Sequence, residues 1–329
     1  MTDSDKTIVL DSTPPAANPK TCPACGATLQ CDRENTEMLR CPVCNFTQHC
    51  PTVIEPGSIV GNKYRVLNHL NSGGVGDLFL CHPLEDASER YVMKLLKPTD
   101  NVSRRRFRRE AKILASIEKT DRIAKLIDIW ESGNDIFIIM EYIRGKNLRQ
   151  LQKEYVFDEH ATLEIAYETA KVLRYIWETY SIIHRDIKPE NIMLDENFCL
   201  KLLDFGLSKQ YGDAKHCTDI TMPHLGLGTP GYMSPEQFKD SRSVDFRADI
   251  FSLGATMFFL LTGKRPFDGN NMMEIYQDTL DHAPPAASRF EGKCSPECID
   301  MVRRMMRANP AERYSDYGEL LADINTLLG

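Results

Sequence analysis

Hydrophobic periodicity changes once along this chain, and that change limits the folds open to it. KYRVLNHL (63–70), DLFLCHPL (77–84) and RYVMKLL (90–96) are short runs rich in β-branched and aromatic residues, the pattern of strands. IAKLIDIWES (123–132) and DIFIIMEYI (135–143) repeat it. Between them, SRRRFRREAKILASIEK (103–119) spaces Phe107, Ala111, Ile113, Leu114 and Ile117 at helical intervals. Beyond residue 145 helical spacing takes over, in 161–180, 244–263, 271–280 and 297–308. A strand-rich half with one helix therefore precedes a larger helical half. The expected class is α+β, and a cleft between two unlike lobes is a natural ligand site.

Composition bounds the function. The chain has 329 residues, 42% of them hydrophobic and 26% charged, enough for a real core in an ordinary aqueous protein. Its net charge of −7 argues against a general affinity for nucleic acid. Residues 1–20 lack a basic start followed by an apolar run. The longest apolar stretch, IFSLGATMFFLLTG (250–263), falls short of the roughly 18 residues a spanning helix needs. The expectation is a cytoplasmic chain with no membrane span, so its eleven cysteines need a reason other than secretion.

CPACG (22–26) and CPVCN (41–45) supply that reason. Fifteen residues separate Cys25 from Cys41, a spacing that suits paired zinc knuckles. Two knuckles bring four thiolates, Cys22, Cys25, Cys41 and Cys44, to one Zn²⁺ in a closed tetrahedron. A segment of this length buries too little apolar surface to fold unaided, so the metal supplies folding energy. The intervening TLQCDRENTEMLR fits a short hairpin, and the segment resembles a zinc ribbon. Cys31, His49 and Cys50 are left over as competing ligands. A closed four-cysteine site has no open coordination position, which assigns it to structure and to docking a protein partner. Only Arg33 and Arg40 in this segment oppose Asp32, Glu34 and Glu37, so nucleic acid is not the expected partner. The chain thus divides into a disordered start (1–20), the ribbon (21–50), a Pro- and Gly-bearing linker (51–62) and one globular unit (63–328).

Within that unit stand HRDIKPEN (184–191), DFG (204–206), GTPGYMSPE (228–236), Asp249 and Arg313, in that order. Each charged residue taken singly is most simply a solvated surface group. Together, ordered and at these spacings, they resemble a eukaryotic-type Ser/Thr protein kinase of the kind found in bacteria. The resemblance covers residues 63–328. It implies a bilobal fold with a strand-rich small lobe (63–143) and a helical large lobe (144–328), preceded by the ribbon. It implies phosphoryl transfer from ATP with Mg²⁺ (or Mn²⁺) to protein substrates. Asp186 resembles the base that takes the substrate hydroxyl proton, and Lys188 the lysine that steadies the transferred group and favours Ser/Thr over Tyr. Asn191 and Asp204 resemble the magnesium ligands, hard oxygen donors for a hard cation. Lys94 resembles the lysine that binds the α- and β-phosphates, and Glu110 its ion-pair partner. Leu78 and Val92 resemble the residues that sandwich adenine, Met140 the residue behind it, and Glu141, Tyr142 and Ile143 the hinge that bonds it through the backbone. Asp249, Glu236 and Arg313 resemble scaffold residues of the large lobe. The resemblance also leaves room for a homodimer.

The glycine loop HLNSGGVGDLF (69–79) departs from the family pattern. Gly73, Gly74 and Gly76 let backbone approach the phosphates, but Asn71 replaces the first glycine of the motif. Asn tolerates left-handed backbone angles, so the loop is expected to keep its shape with an extra side chain over the nucleotide. Ser234 stands where the family has alanine. The segment 207–228 resembles an activation loop, with Ser208, Thr218 and Thr221 as candidate phosphorylation sites and Arg185 as a candidate partner for the phosphate. Thr229 resembles a threonine that contacts the catalytic Asp and Lys. Cys294 and Cys298, four residues apart, read as incidental. The alternative function is a scaffold that binds nucleotide without transferring phosphate, and Asn71 is its support.

Overall fold

A computed structural model of the chain describes residues 30–31, 38–44, 47–49, 54–73, 76–96, 105, 108, 112–117, 120–132, 135–205, 209–210, 230–239, 244–290 and 292–329. The chain divides into two compact units. One is drawn from residues 1–104 and 126–142, the other from 105–125 and 143–329.

The first unit is built from strands. β1 (Gln30–Cys31), β2 (Met38–Arg40) and β3 (Thr47–His49) pair antiparallel in sequence order, the hairpin expected between the two knuckles followed by one more strand. β4 (Ile59–Val60), β5 (Tyr64–Gly73), β6 (Gly76–Pro83), β7 (Tyr91–Leu96), β8 (Leu126–Ser132) and β9 (Asp135–Glu141) form a second sheet in the order β4-β5-β6-β7-β9-β8. Every pairing in it is antiparallel.

Residues paired directly across strands point to the same side of a sheet. The register therefore separates two faces. One carries Val66, Phe79, Cys81, Met93, Leu95, Phe137 and Ile139, all buried with Val60 and Tyr64 in one apolar cluster. Trp130 closes it, stacked on Phe137 at 5.0 Å and on Tyr64 at 5.8 Å. Gly61 turns beneath that indole at φ +61°, where a Cβ would meet Trp130 Cζ2 at 2.8 Å. The opposite face carries Leu78, Leu80, Val92, Lys94 and Met140, all only half-buried.

The second unit is mainly helical: α1 (Leu148–Leu151), α2 (Glu159–Tyr180), α3 (Pro235–Lys239), α4 (Arg247–Thr262), α5 (Met272–His282), α6 (Pro296–Met305) and α7 (Tyr317–Leu328). Helix α4 is buried on all sides from Ala248 to Leu261, which explains its unbroken apolar sequence. Gly254 lets α6 close on it, since a Cβ there would lie 2.8 Å from Met305 Cβ. Helix α7 escapes the periodicity reading. Its N-cap Asp316 accepts from Glu319 N, and Tyr317, Leu320, Leu321 and Ile324 are buried. Small strands frame the loop that follows α2. β10 (Gly145–Asn147), β12 (Ile192–Asp195) and β13 (Leu200–Leu202) form one sheet, and β11 (Ile182–Ile183) pairs with β14 (Lys209–Gln210). The segment 120–125 joins this unit through Leu202, whose N–H donates to Arg122 O and whose carbonyl accepts from Ala124 N.

Candidate active site

Residues 184–191 span the gap between β11 and β12, and buried polar contacts fix them. Asp249, on the first turn of α4, is fully buried and accepts from His184 N at 2.8 Å and Arg185 N at 2.7 Å. Burial pushes its carboxyl up from the usual range, while the His184 ring and the two backbone donors act against that. His184 Nε2 donates to Leu203 O at 2.9 Å and its Nδ1 accepts from Asp186 N at 3.3 Å. Its ring packs on Phe205, with centroids 4.7 Å apart. Two non-glycine residues here adopt left-handed backbone angles, Arg185 at φ 69° and Asp204 at φ 56°. Such angles cost about 1–2 kcal/mol each and persist only where surroundings enforce them. Arg185 is enforced on both sides, its N–H by Asp249 and its carbonyl by Gln237 Nε2 at 3.0 Å.

The carboxylate of Asp186 is held at one oxygen. Lys188 Nζ donates to Oδ2 at 2.7 Å and Asn191 Nδ2 donates to the same atom at 2.8 Å. Asn191 Nδ2 also reaches Asp186 O at 2.8 Å. Among the described residues, Oδ1 accepts no hydrogen bond, so it stands available to a donor from outside. Both Asn191 N–H directions are used inward, which leaves its amide oxygen as the group able to serve a cation. Asp204 follows Leu203, whose N–H donates to Asn191 O at 2.8 Å. An amide oxygen and a carboxylate form a donor set that suits a hard divalent ion such as Mg²⁺.

Scaffold residues are placed as firmly. Arg313 is completely buried and forks onto both oxygens of Glu236, at 2.6 and 2.8 Å, while donating to the carbonyls of Arg247, Arg307 and Ala308. Ser234, the departure from the family alanine, is buried and donates from Oγ to Gln237 Oε1 at 3.0 Å. The same Gln237 holds Arg185 O, so the extra hydroxyl orients the amide that braces the residue before Asp186. Gln237 is the site residue the sequence does not reveal; only its neighbourhood to Glu236 hints at it.

In the strand-rich unit, Lys94 pairs across the sheet with Leu78 and Ile138, and Val92 with Leu80 and Met140. Asn71 pairs with Leu78, which puts it in the same row and on the same face as Lys94. The left-handed tolerance of Asn71 is not drawn on here. The residue lies in strand β5, next to a bulge at Leu70, and is not among the left-handed residues. An extended residue keeps this hairpin without left-handed tolerance. Gly76 has a reason besides phosphate approach: a Cβ there would lie 2.2 Å from Leu95 O of β7. Glu141 ends β9, and Tyr142 and Ile143 continue as irregular backbone, Ile143 buried. Cys41 is buried and Cys44 exposed, flanking a turn between β2 and β3. Gly74, Glu110, Ser208, Thr218, Thr221, Thr229, Cys22 and Cys25 lie outside the described residues.

The protein kinase domain family matches residues 64–323 of this chain. The chain is 32% identical over 269 residues to the serine/threonine-protein kinase pkn3 of Myxococcus xanthus, covering 78% of this chain and 48% of that protein. It is 30% identical over 278 residues to the serine/threonine-protein kinase PrkC of Bacillus subtilis, covering 82% and 41%. It is 31% identical over 273 residues to the serine/threonine-protein kinase PknL of Mycobacterium bovis, covering 82% and 67%. The chain thus spans about half the length of the first two of these relatives. With that match joined to the 184–191 loop and its buried brace, the chain belongs to the protein kinase domain family.

Proposed function

We propose that this chain is a protein Ser/Thr kinase that transfers the γ-phosphoryl group of ATP to Ser and Thr hydroxyls of proteins, its own 207–228 segment included. The observation that carries this reading is the Asp186 carboxylate, anchored at Oδ2 by Lys188 and Asn191 with Oδ1 left open. A substrate hydroxyl that donates to Oδ1 is aligned for attack, and its proton passes to that oxygen as the new P–O bond forms. Lys188, 2.7 Å from Oδ2, is placed to offset negative charge gathering beside the base. Bound Mg²⁺, held by the Asn191 amide oxygen and the Asp204 carboxylate, supplies charge neutralisation on the phosphates. Lys94, on the half-buried sheet face, binds the α- and β-phosphates, with Glu110 as its ion-pair partner. Leu78, Val92 and Met140 share that face and receive the adenine ring, and the backbone of 141–143 bonds its edge. Gly73, Gly74 and Gly76 close over the phosphates, with Asn71 beside them.

The ribbon reading belongs to the same proposal. Cys22, Cys25, Cys41 and Cys44 would hold a structural Zn²⁺, and the module would dock a protein partner. The reading places the protein in the cytoplasm, among the described residues of which no helix is long and apolar enough to cross a membrane.

The test is a radiolabelled ATP assay with Mg²⁺ and a basic protein substrate, run beside Asp186→Asn and Lys94→Met. Wild type labels itself or the substrate, and each variant loses about 10²–10⁴ of that rate while remaining folded. Nucleotide-bound wild type that labels no better than the variants, also with Thr218 and Thr221 replaced by Glu, establishes the scaffold reading instead. Metal analysis of the purified chain reads one zinc per chain, lost in Cys41→Ser with Cys44→Ser.

A further inference from the structure

Three side chains at the glycine hairpin are linked to one another and take no part in the chemistry described above. Ser72 Oγ donates to Asp77 Oδ1 at 2.8 Å and lies 2.9 Å from His69 Nε2. The His69 ring stands edge to face with Phe79, their centroids 5.2 Å apart, and Phe79 is buried in the apolar cluster of the sheet. A bulge makes this link possible. Residues three apart on a regular strand point to opposite faces. His69 pairs with Phe79 and Ser72 with Asp77, while Leu70 is an extra residue between the His69 and Asn71 pairings. That insertion turns His69 and Ser72 to the same face, beside Phe79 and Asp77, which are two apart on β6. Asn71 and Leu78 pair on the other face, in the row of Lys94. The link therefore lies on the face away from the row that the proposed function gives to the nucleotide.

The hairpin needs such a link because of how its strands are held. β6 is paired on both sides, with β5 and with β7. The end of β5 from Asn68 to Gly73 pairs, among the described residues, with β6 alone. Its last pair joins Gly73 to Gly76, and neither has a side chain to fix the register. Strand ends of that kind specify register weakly and slip. Ser72 and Asp77 form the first pair back from the turn that can prevent it. An ordinary surface contact accounts for one hydrogen bond on an exposed serine. It does not account for a bulge that brings a second partner to the same hydroxyl and seats that partner on Phe79.

We propose that Ser72 is a positioning residue for ATP: bonded to Asp77 and braced by His69, it holds the β5 end of the glycine hairpin on β6 and so fixes the reach of Gly73 to the phosphates. This rests on the nucleotide reading of the Lys94 face. Ser72 does not touch the nucleotide; it acts through the backbone that it ties down. The adenine surface differs in this respect. Leu78, Val92 and Met140 stand on β6, β7 and β9, which pair with one another without the link. Losing the link therefore weakens the hold on the phosphates and spares the hold on the base.

The experiment titrates the full chain, in the presence of Mg²⁺, with a non-hydrolysable ATP analogue and separately with adenosine. Ser72→Ala weakens binding of the analogue about three- to tenfold, the worth of one hydrogen bond, and leaves adenosine affinity at the wild-type value. Ser72→Thr, which keeps the hydroxyl, restores the analogue affinity. Asp77→Ala reproduces the loss, and the double variant loses no more than either single one, because both remove the same link. A Ser72→Ala protein that binds the analogue as wild type does overturns the proposal. So does an equal loss for adenosine, which marks a general loosening of the sheet, and so does a double variant whose losses add. Wild type that binds neither ligand overturns the nucleotide reading as well, which separates that failure from a failure of the link alone.

Discussion

The two units place their functional residues by different physics. In the helical unit, buried charge fixes the reactive loop. Asp249 pins two successive backbone N–H groups, Gln237 pins the Arg185 carbonyl that follows them, and Asn191 and Lys188 share one oxygen of Asp186. In the strand-rich unit, the described residues of the glycine hairpin carry an exposed set instead, Ser72 Oγ donating to Asp77 Oδ1 at 2.8 Å and lying 2.9 Å from His69 Nε2. Asn71 and Ser72 are exposed, and the position of Lys94 follows from strand register. The difference separates two tasks. Chemistry needs atoms held to within tenths of an ångström, which buried and mutually satisfied polar groups achieve. Nucleotide binding needs a surface of the right shape, which alternation and small residues achieve.

The sharpest way to break this contrast is Arg313→Met. It leaves Glu236 and three carbonyls without their shared donor, and removing one partner of such a pair costs about 3–5 kcal/mol. Urea unfolding reads that loss, and it falls on the helical unit. An unfolding midpoint equal to wild type shows that the network is not what holds this unit together.

Gly76→Ala comes next and probes the strand-rich unit. The new methyl meets the Leu95 carbonyl, backbone that shifts only with β7, so overpacking costs about 1–3 kcal/mol. Nucleotide affinity falls because Lys94 lies one residue before Leu95 on the same strand. Calorimetric titration with a non-hydrolysable ATP analogue measures it, and unchanged affinity means that the hairpin is not coupled to β7. Asn71→Gly restores the family residue at an exposed position. It shifts the ATP KM by less than about tenfold, the worth of one hydrogen bond, and leaves kcat unchanged. A drop in kcat places Asn71 in the chemistry and erases the division of tasks.

The smallest effect belongs to the surface pair Lys63–Asp128, 2.9 Å apart. Partial burial works to raise the Asp128 carboxyl, but the Lys63 and Ile129 N–H donors outweigh it and hold the carboxyl below the usual range. A carboxylate lowered in the folded state stabilises above its unfolded pKa and loses that contribution as pH falls through the folded value. Asp128→Asn therefore costs under about 1 kcal/mol at neutral pH, and the gap to wild type closes in acid. Denaturant melts at neutral and acidic pH test the trend, and a gap that widens in acid reverses the sign.

Much of the site was legible because chemistry constrains residue types in order. Asp186, Lys188, Asn191 and Asp204 fall on one continuous stretch, and the structure brings the first three into direct contact. The strands around Lys94 were legible from alternation, and helices α2, α4, α5 and α6 from their spacing. Helix α7 was not, because its buried set of Tyr317, Leu320, Leu321 and Ile324 follows a charged, polar entry that reads as loop. Asn71 shows a related limit: sequence offers a residue's tolerances, whereas neighbouring strands decide its angles.

What the sequence alone determined is the set of reactive groups and the alternation that separates a packed sheet face from an open one. Both are local properties, carried by residue type and spacing along a few turns or strands. Only the tertiary structure decided that Gln237 would reach Arg185 and that Gly76 would lie against the Leu95 carbonyl. Each depends on an approach of a few ångströms set by how a chain turns or how elements pack, and residue type does not encode that distance.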